Sequence, residues 1–200
     1  MNNTTPGEIL TKFYAENNLE PDGGEKSSSV KIDLAGGFHF YIPNFNARRK
    51  ALLKHDVHHL LTEYSTSLSG ESEISAWEIA SGCKKYWAAF LIDTSGFMMG
   101  IPINLFGVLK AFARGRRTKN LYHNLFSNDK ALGMTISELR NELCLDKHPK
   151  ESKPTLTDFL FFSGFALFGL VYSIISLALL PLIILYSIYI EVKTKMTRRK

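Results

Sequence analysis

The chain has 200 residues, 45% of them apolar, and a formal net charge of +5. That length suits one compact domain with an appendage rather than two full domains. The basic residues cluster without an aromatic-and-basic RNA motif or a zinc finger, which sets nucleic acid aside as a partner. The two cysteines, Cys83 and Cys144, form no CxxC, which points to a reducing compartment and a thiol-independent function.

Thr5, Pro6 and Glu8 form a capping box with proline in the first turn, and Ile9, Leu10, Phe13 and Tyr14 recur at helical spacing, so a first helix is predicted there, ending at Asn17 and Asn18. The acids Glu8, Glu16, Glu20, Asp22 and Glu25 argue against a signal or transit peptide, and a cytoplasmic start is expected. Residues 21–29 read as a linker. Val30, Ile32 and Leu34 alternate, as do Phe38, Phe40 and Ile42 around Ala35, Gly36 and Gly37, which fits either a small hairpin or a loop pressed on helices.

Pro43 and Asn44 open a predicted helix running to about Tyr64, followed by a turn over Ser65 to Gly70. A second long helix is expected from Glu71 towards Thr94, interrupted by Ser95, Gly96, Gly100 and Pro102, and another from Leu105 to Arg117. Two short helices finish the polar part, the second capped by Thr135 and Glu138. The expected fold is all-α: a helical metal-binding domain over residues 1–157, a membrane segment over 158–192 and a basic cytoplasmic tail over 193–200.

The membrane segment rests on 32 consecutive residues without a charge, Phe159 to Ile190. A span needs roughly 20 such residues. As one helix the run would be about 48 Å long, against a hydrocarbon core of about 30 Å. Ser173, Ser176, Ala178 and Pro181 offer a break, so the run is either one transmembrane helix or, preferred here, a hairpin turning near Ser176 to Pro181. Basic clusters follow two apolar stretches: Lys110, Arg114, Arg116, Arg117 and Lys119, then Lys193, Lys195, Arg198, Arg199 and Lys200. Such groups sit at cytoplasmic headgroups, so both ends are placed on that side.

The chemistry-bearing stretch is His55-Asp56-Val57-His58-His59, followed by Glu71. At about 100° per residue, with His55 at 0°, His59 falls near 40°, Glu63 near 80° and Asp56 near 100°. Histidines at i and i+4 can share a metal, with further ligands supplied by carboxylates. The competing reading is a solvated polar face. Asp56 and Glu63 are rival ligands by position, and His58, near −60°, reads as a supporting group. The turn before Glu71, with Gly70 allowing close backbone approach, lets the chain bring that carboxylate over the histidines. An N2O or N2O2 set with an open position suits zinc or another divalent transition ion.

His55-Asp56, His59 and Glu71 form an HDxxH-x11-E motif. With Arg48, Arg49 and Lys50 before it, His59-Leu60-Leu61 and Gly70-Glu71 within it, SEISAWEIASG after it and PGEILTKFYAENNLEPD upstream, the chain resembles the coenzyme Q (ubiquinone) biosynthesis protein 4 family over residues 5–145. It departs from that family in the stretch LLTEYSTSLSG and in its apolar C-terminal segment.

The resemblance implies an all-helical fold and a divalent metal, zinc, held by His55, Asp56, His59 and Glu71, with Asp56 and Glu71 as the catalytic carboxylates. It implies a groove for a polyprenyl tail, for which Trp77, Trp87, Phe90, Phe97, Met98 and Ile101 are the candidate liners, with ordinary helix core as the equal alternative. It further implies oxidative decarboxylation at ring C1 of a polyprenylated hydroxybenzoate, together with a scaffolding role for other pathway enzymes; the expected location is the bacterial inner membrane, with the soluble domain on its cytoplasmic face. The partners would be this quinone precursor or another lipid and other quinone-biosynthesis enzymes, with a homodimer admitted. Two other readings stand: a non-catalytic lipid-binding scaffold with a structural metal, and an HD-type metal phosphohydrolase, for which His39 and Asp93 would be the additional ligands. A zinc protease fits less well, because Asp56 stands where HExxH has glutamate.

Overall fold

The computed structural model describes residues 3–33, 39–151 and 153–197. Helix α1 (Pro6–Glu16) starts on the reciprocal Thr5–Glu8 capping box and buries Leu10 and Tyr14. Strands β1 (Ser29–Asp33) and β2 (His39–Pro43) pair antiparallel, with Val30 opposite Ile42 and Ile32 opposite Phe40. The expected all-α class therefore needs one correction, a two-stranded hairpin. Leu34, Ala35, Gly36, Gly37 and Phe38, and the tail residues Arg198, Arg199 and Lys200, lie outside the described residues.

Helix α2 (Asn46–Thr62) carries the histidines, and α3 (Leu68–Ser81) carries Glu71. The long helix expected to run on to Thr94 is two helices. Gly82 adopts φ 100°, a conformation that suits glycine, and ends α3; α4 (Trp87–Gly115) begins five residues later. Ser95, Gly96 and Gly100 do not interrupt α4. A Cβ at Gly96 would lie 2.3 Å from Ser75 Oγ, and one at Gly100 would lie 2.4 Å from Ser72 Cβ. These glycines let α3 and α4 pack backbone to backbone, which is why they stand inside a helix despite their poor propensity.

The interruption falls at Asn104, where φ −150° and ψ 62° leave the helical region just after Pro102. There α4 folds back on itself. The Phe97 and Phe112 rings lie 6.0 Å apart, whereas 15 residues of straight helix would separate them by about 22 Å. Ile103, Leu105 and Phe106 stand exposed at the tip of this reversal, Phe106 at 75%.

A 3₁₀ turn at Leu121–His123 and helices α5 (Asn128–Gly133) and α6 (Ile136–Glu142) close the domain, α6 from the Thr135–Glu138 capping box. Val57, Leu61, Ile74, Trp77, Phe97, Leu139 and Leu143 form the core. Arg114 does not belong to a headgroup-facing cluster. It is buried and donates to the carbonyls of Thr62 and His148.

The apolar run divides into α7 (Leu156–Leu177) and α8 (Leu180–Thr197), with the break inside the Ser176 to Pro181 stretch. Thr155 and Asp158 form a further capping box at the start of α7, and Arg116 and Arg117 ion-pair with Asp158. The division at residues 157 and 158 falls inside this helix. Phe162 joins the domain core against Phe97, at 5.1 Å, and Phe112, at 5.6 Å. Helix α7 packs on α4, and α8 packs on β2, where Ser187 Oγ accepts from the Tyr41 N–H. The outward face of α7 remains exposed and apolar, with Leu160, Leu167, Val171 and Ile174 on it. Two helices, α4 and α7, are long and apolar enough to cross a membrane.

Candidate metal centre

Residues at i and i+4 on α2 put the His55 and His59 rings side by side, with Nε2 atoms 3.2 Å apart. The chain then reverses through Ser65–Ser67. Ser67 caps α3 by accepting from the Gly70 N–H, and Gly70 packs so tightly that a Cβ there would lie 2.1 Å from the Ser65 carbonyl oxygen. That closeness brings Glu71 over the two rings. Its oxygens lie 3.2 Å from His59 Nε2 and 3.5 Å from His55 Nε2.

Hydrogen-bond partners fix the ring tautomers. His59 Nδ1–H donates to the Tyr64 carbonyl at 2.9 Å. His55 Nδ1–H donates to both oxygens of Glu78, at 3.1 and 3.2 Å. Each ring therefore turns its Nε2 towards the other and towards Glu71, and that separation requires a proton or a cation between them. Ligands about 2.1 Å from a tetrahedral ion are about 3.4 Å apart. The Nε2 atoms are 3.2 Å apart, each faces a different Glu71 oxygen, and one ligand atom from each residue lies within 4.8 Å of the others, so the three side chains are close enough to share a divalent ion. Glu71 is 39% exposed, which leaves the site open on one side.

Charge supports the same arrangement. Burial opposes ionisation of Glu71, but hydrogen bonds and charge from His55 and His59 outweigh it and bring its carboxyl down to about 2. Burial likewise opposes charge on His55, yet the Glu78 and Glu71 carboxylates push its pKa well above the ordinary imidazole value. A positive charge is favoured where the three donors meet.

Behind the triad lies a fully buried group that sequence reasoning missed. Glu78 accepts from His55, from His58 Nδ1–H at 2.5 Å and from the Tyr122 hydroxyl at 3.2 Å. Burial would raise its carboxyl, but His55 and His58 hold it low. His58 is a supporting group: its Nε2 accepts from the Leu121 N–H at 2.9 Å, and burial keeps it neutral by lowering its pKa. His55, Glu78 and Asp93 form a second set with ligand atoms within 4.8 Å of one another. Glu78 was legible in principle, because i+7 returns to nearly the same face as Glu71. Asp93 is the one charged residue between Lys85 and Lys110, and a lone acid in so apolar a stretch is itself a signal.

The nominated Asp56 points elsewhere. Its Oδ2 accepts from the Tyr14 hydroxyl at 2.9 Å, and it is not among the described groups whose ligand atoms converge. One residue on from His55, it has rotated about 100° out of the triad. Burial raises its pKa. Its rival Glu63 is the left-handed cap of α2 and pairs with Arg140 at the surface. Of the phosphohydrolase additions, Asp93 is beside His55, whereas His39 pairs with Glu191 on α8.

The nominated groove residues separate. Phe90 lines an apolar groove of about 650 Å³ between α3, α4 and α7, together with Ile79, Phe112, Leu160, Phe161 and Phe168. Trp77 and Phe97 are fully buried core, the former donating to Thr118 Oγ1 at 2.9 Å. Met98 and Ile101 pack against that core. Trp87 is 56% exposed and stacks on Phe45.

No family model, curated protein or solved structure matches this chain.

Proposed function

We propose that the chain is a membrane-held divalent-metal protein of ubiquinone biosynthesis, acting in oxidative decarboxylation at ring C1 of a polyprenylated hydroxybenzoate, in which the carboxyl leaves as CO2, a hydroxyl takes its place, and dioxygen from outside the chain supplies the oxygen and accepts the two electrons. The observation that carries the metal is the convergence of His55, His59 and Glu71, with both imidazole Nε2 atoms turned inward. The motif resemblance supplies the substrate class.

His55, His59 and Glu71 would hold the ion, zinc by donor type. When bound, it supplies a Lewis acid for a phenolate or carboxylate oxygen of the substrate. The exposed side of Glu71 leaves room for that oxygen. Glu78 keeps the His55 ring in place. Glu71, which stays ionised, is the carboxylate at the triad, whereas Asp56 is buried against Tyr14 and positions that ring. The groove along α7 offers an apolar bed for a prenyl tail, and the apolar outer face of α7 supports residence at a bilayer. On this reading the apolar outer face of α7 holds the protein at the membrane, with the domain on the cytoplasmic side.

The test is deletion in the native host with mass spectrometry of the lipid extract. Accumulation of a carboxylated quinone precursor, restored to quinone by the wild-type chain but not by His59→Ala at equal abundance, is the expected result. Normal quinone in the deletion strain refutes the pathway. Full rescue by His59→Ala refutes the role of the metal in it.

A further inference from the structure

A second cleft, of about 1330 Å³, opens on a different face of α2 from the triad. It is walled by α2, by Lys85, Tyr86 and Trp87 at the start of α4, and by residues 124–129. Lys54, adjacent in sequence to His55, is rotated about 100° away from it and faces this cleft.

Lys54 is only 5% exposed. Among the described residues its ammonium bonds Asn128 Oδ1, at 2.7 Å, and lies 6.0 Å from the centre of the Tyr86 ring. Among the described residues no carboxylate forms an ion pair with it. A buried cation without an anion is costly and is retained where something compensates it. A second donor in the same wall is also unmet. Arg49 turns two guanidinium nitrogens to Asn46 and the Ser27 carbonyl, but its Nε–H is buried without an acceptor. Lys50 and Lys85 stand exposed on the rim. Four cations thus line the cleft against two carboxylates, Glu25 and Asp129, which leaves a net positive cavity suited to a doubly charged anion. Tyr86 and Trp87 add flat aromatic walls beside the charges.

We infer that this cleft is a phosphate-binding site, separate from the metal centre, in which Lys54 takes a phosphate oxygen from within and Arg49, Lys50 and Lys85 supply the surrounding positive charge. Charge-assisted bonds to phosphate are the strong kind, and one to Lys54 would supply the counter-charge that Asn128 does not. The phosphate belongs either to a soluble phosphate compound or to an anionic lipid headgroup.

The test uses the full chain in neutral detergent and reads the unfolding temperature against inorganic phosphate, with chloride at matched ionic strength as control. Phosphatidic acid and phosphatidylcholine doped into the micelles form the lipid arm. Inorganic phosphate or phosphatidic acid is expected to raise the unfolding temperature in a saturable way, as any ligand of the native state does. A response to inorganic phosphate assigns a soluble source; a response to phosphatidic acid alone assigns a headgroup.

Lys54→Met keeps the buried stem and deletes the charge. It is expected to abolish the response while leaving the ligand-free protein at least as heat-resistant as wild type, because an uncompensated charge is gone. A merely structural lysine would show the opposite. Lys85→Ala, at an exposed position, is expected to weaken half-saturation about tenfold and decides the matter should Lys54→Met fail to fold. No response to either phosphate source, a full response in Lys54→Met, or unchanged half-saturation in Lys85→Ala overturns the proposal.

Discussion

Glu78→Gln separates the group that orients the metal ligands from the groups that hold the metal. Glu78 is fully buried and takes bonds from His55, His58 and Tyr122, two of them from imidazoles. The amide preserves volume, but its nitrogen must face at least one N–H donor. Leaving one or two buried donors unmet costs about 1 to 3 kcal/mol each, so a loss of about 2 to 4 kcal/mol in unfolding free energy is expected. The freed His55 ring loses its fixed tautomer, and second-sphere losses of this kind weaken metal binding about 10- to 100-fold. Glu71→Gln should do the reverse. Its carboxylate is 39% exposed and so partly screened by solvent, so its stability loss should be smaller than that of Glu78→Gln, while metal binding is lost. Denaturant unfolding of the metal-free protein and zinc titration against a competing chelator measure the two quantities. Wild-type values for Glu78→Gln in both assays would refute the orienting role. A larger stability loss in Glu71→Gln than in Glu78→Gln would invert the two assignments.

Acidity should act on the site in a defined direction. The Glu71 carboxyl drops from 4.5 to about 2 on folding, so its contribution to stability is complete above pH 4.5 and disappears as pH falls towards 2. His55 is raised above 6.5, so its contribution is complete below pH 6.5 and is lost as pH climbs through the higher folded value. In that upper range the ion replaces a proton, so zinc affinity should rise with pH. A chelator titration between pH 6 and 8, flanking the ordinary histidine pKa of about 6.5, that shows no pH dependence would contradict this. Gly100→Val should destabilise by about 1 to 3 kcal/mol or more, since the first added carbon already lies 2.4 Å from Ser72 Cβ and 2.7 Å from Val108 Cγ2; denaturant melts report it. Phe162→Ala should cost about 3 to 5 kcal/mol if the first turns of α7 belong to the domain core, whereas a detached membrane helix would leave the domain's melting unchanged.

Periodic and capping signals are local, and they were legible. Thr5–Glu8 and Thr135–Glu138 start helices because side chain and backbone satisfy each other within one turn. His55 and His59 share a face by the pitch of the helix alone, and the same pitch placed His58 apart from them. The break at residues 178–179 lay where small residues and proline weaken a helix. The missed stop at Gly82 was local too: a glycine that ends one helix reads much like a glycine packed inside another, such as Gly96 or Gly100, until the neighbouring helix is in place.

What the amino-acid order determined alone was therefore the helical period, the caps, the pair of histidines on one face and the long uncharged run. Those depend on contacts within a few residues. Tertiary structure decided which carboxylates meet those histidines. Asp56, next in sequence, turns to Tyr14, while Glu78 and Asp93, 23 and 38 positions on from His55, arrive beside it. It also decided that α4 doubles back at Asn104 and that Lys54 is buried without a counter-ion. Side-chain direction follows from the helix, but the partner at its end follows from packing between helices, and that is set by contacts distant in sequence.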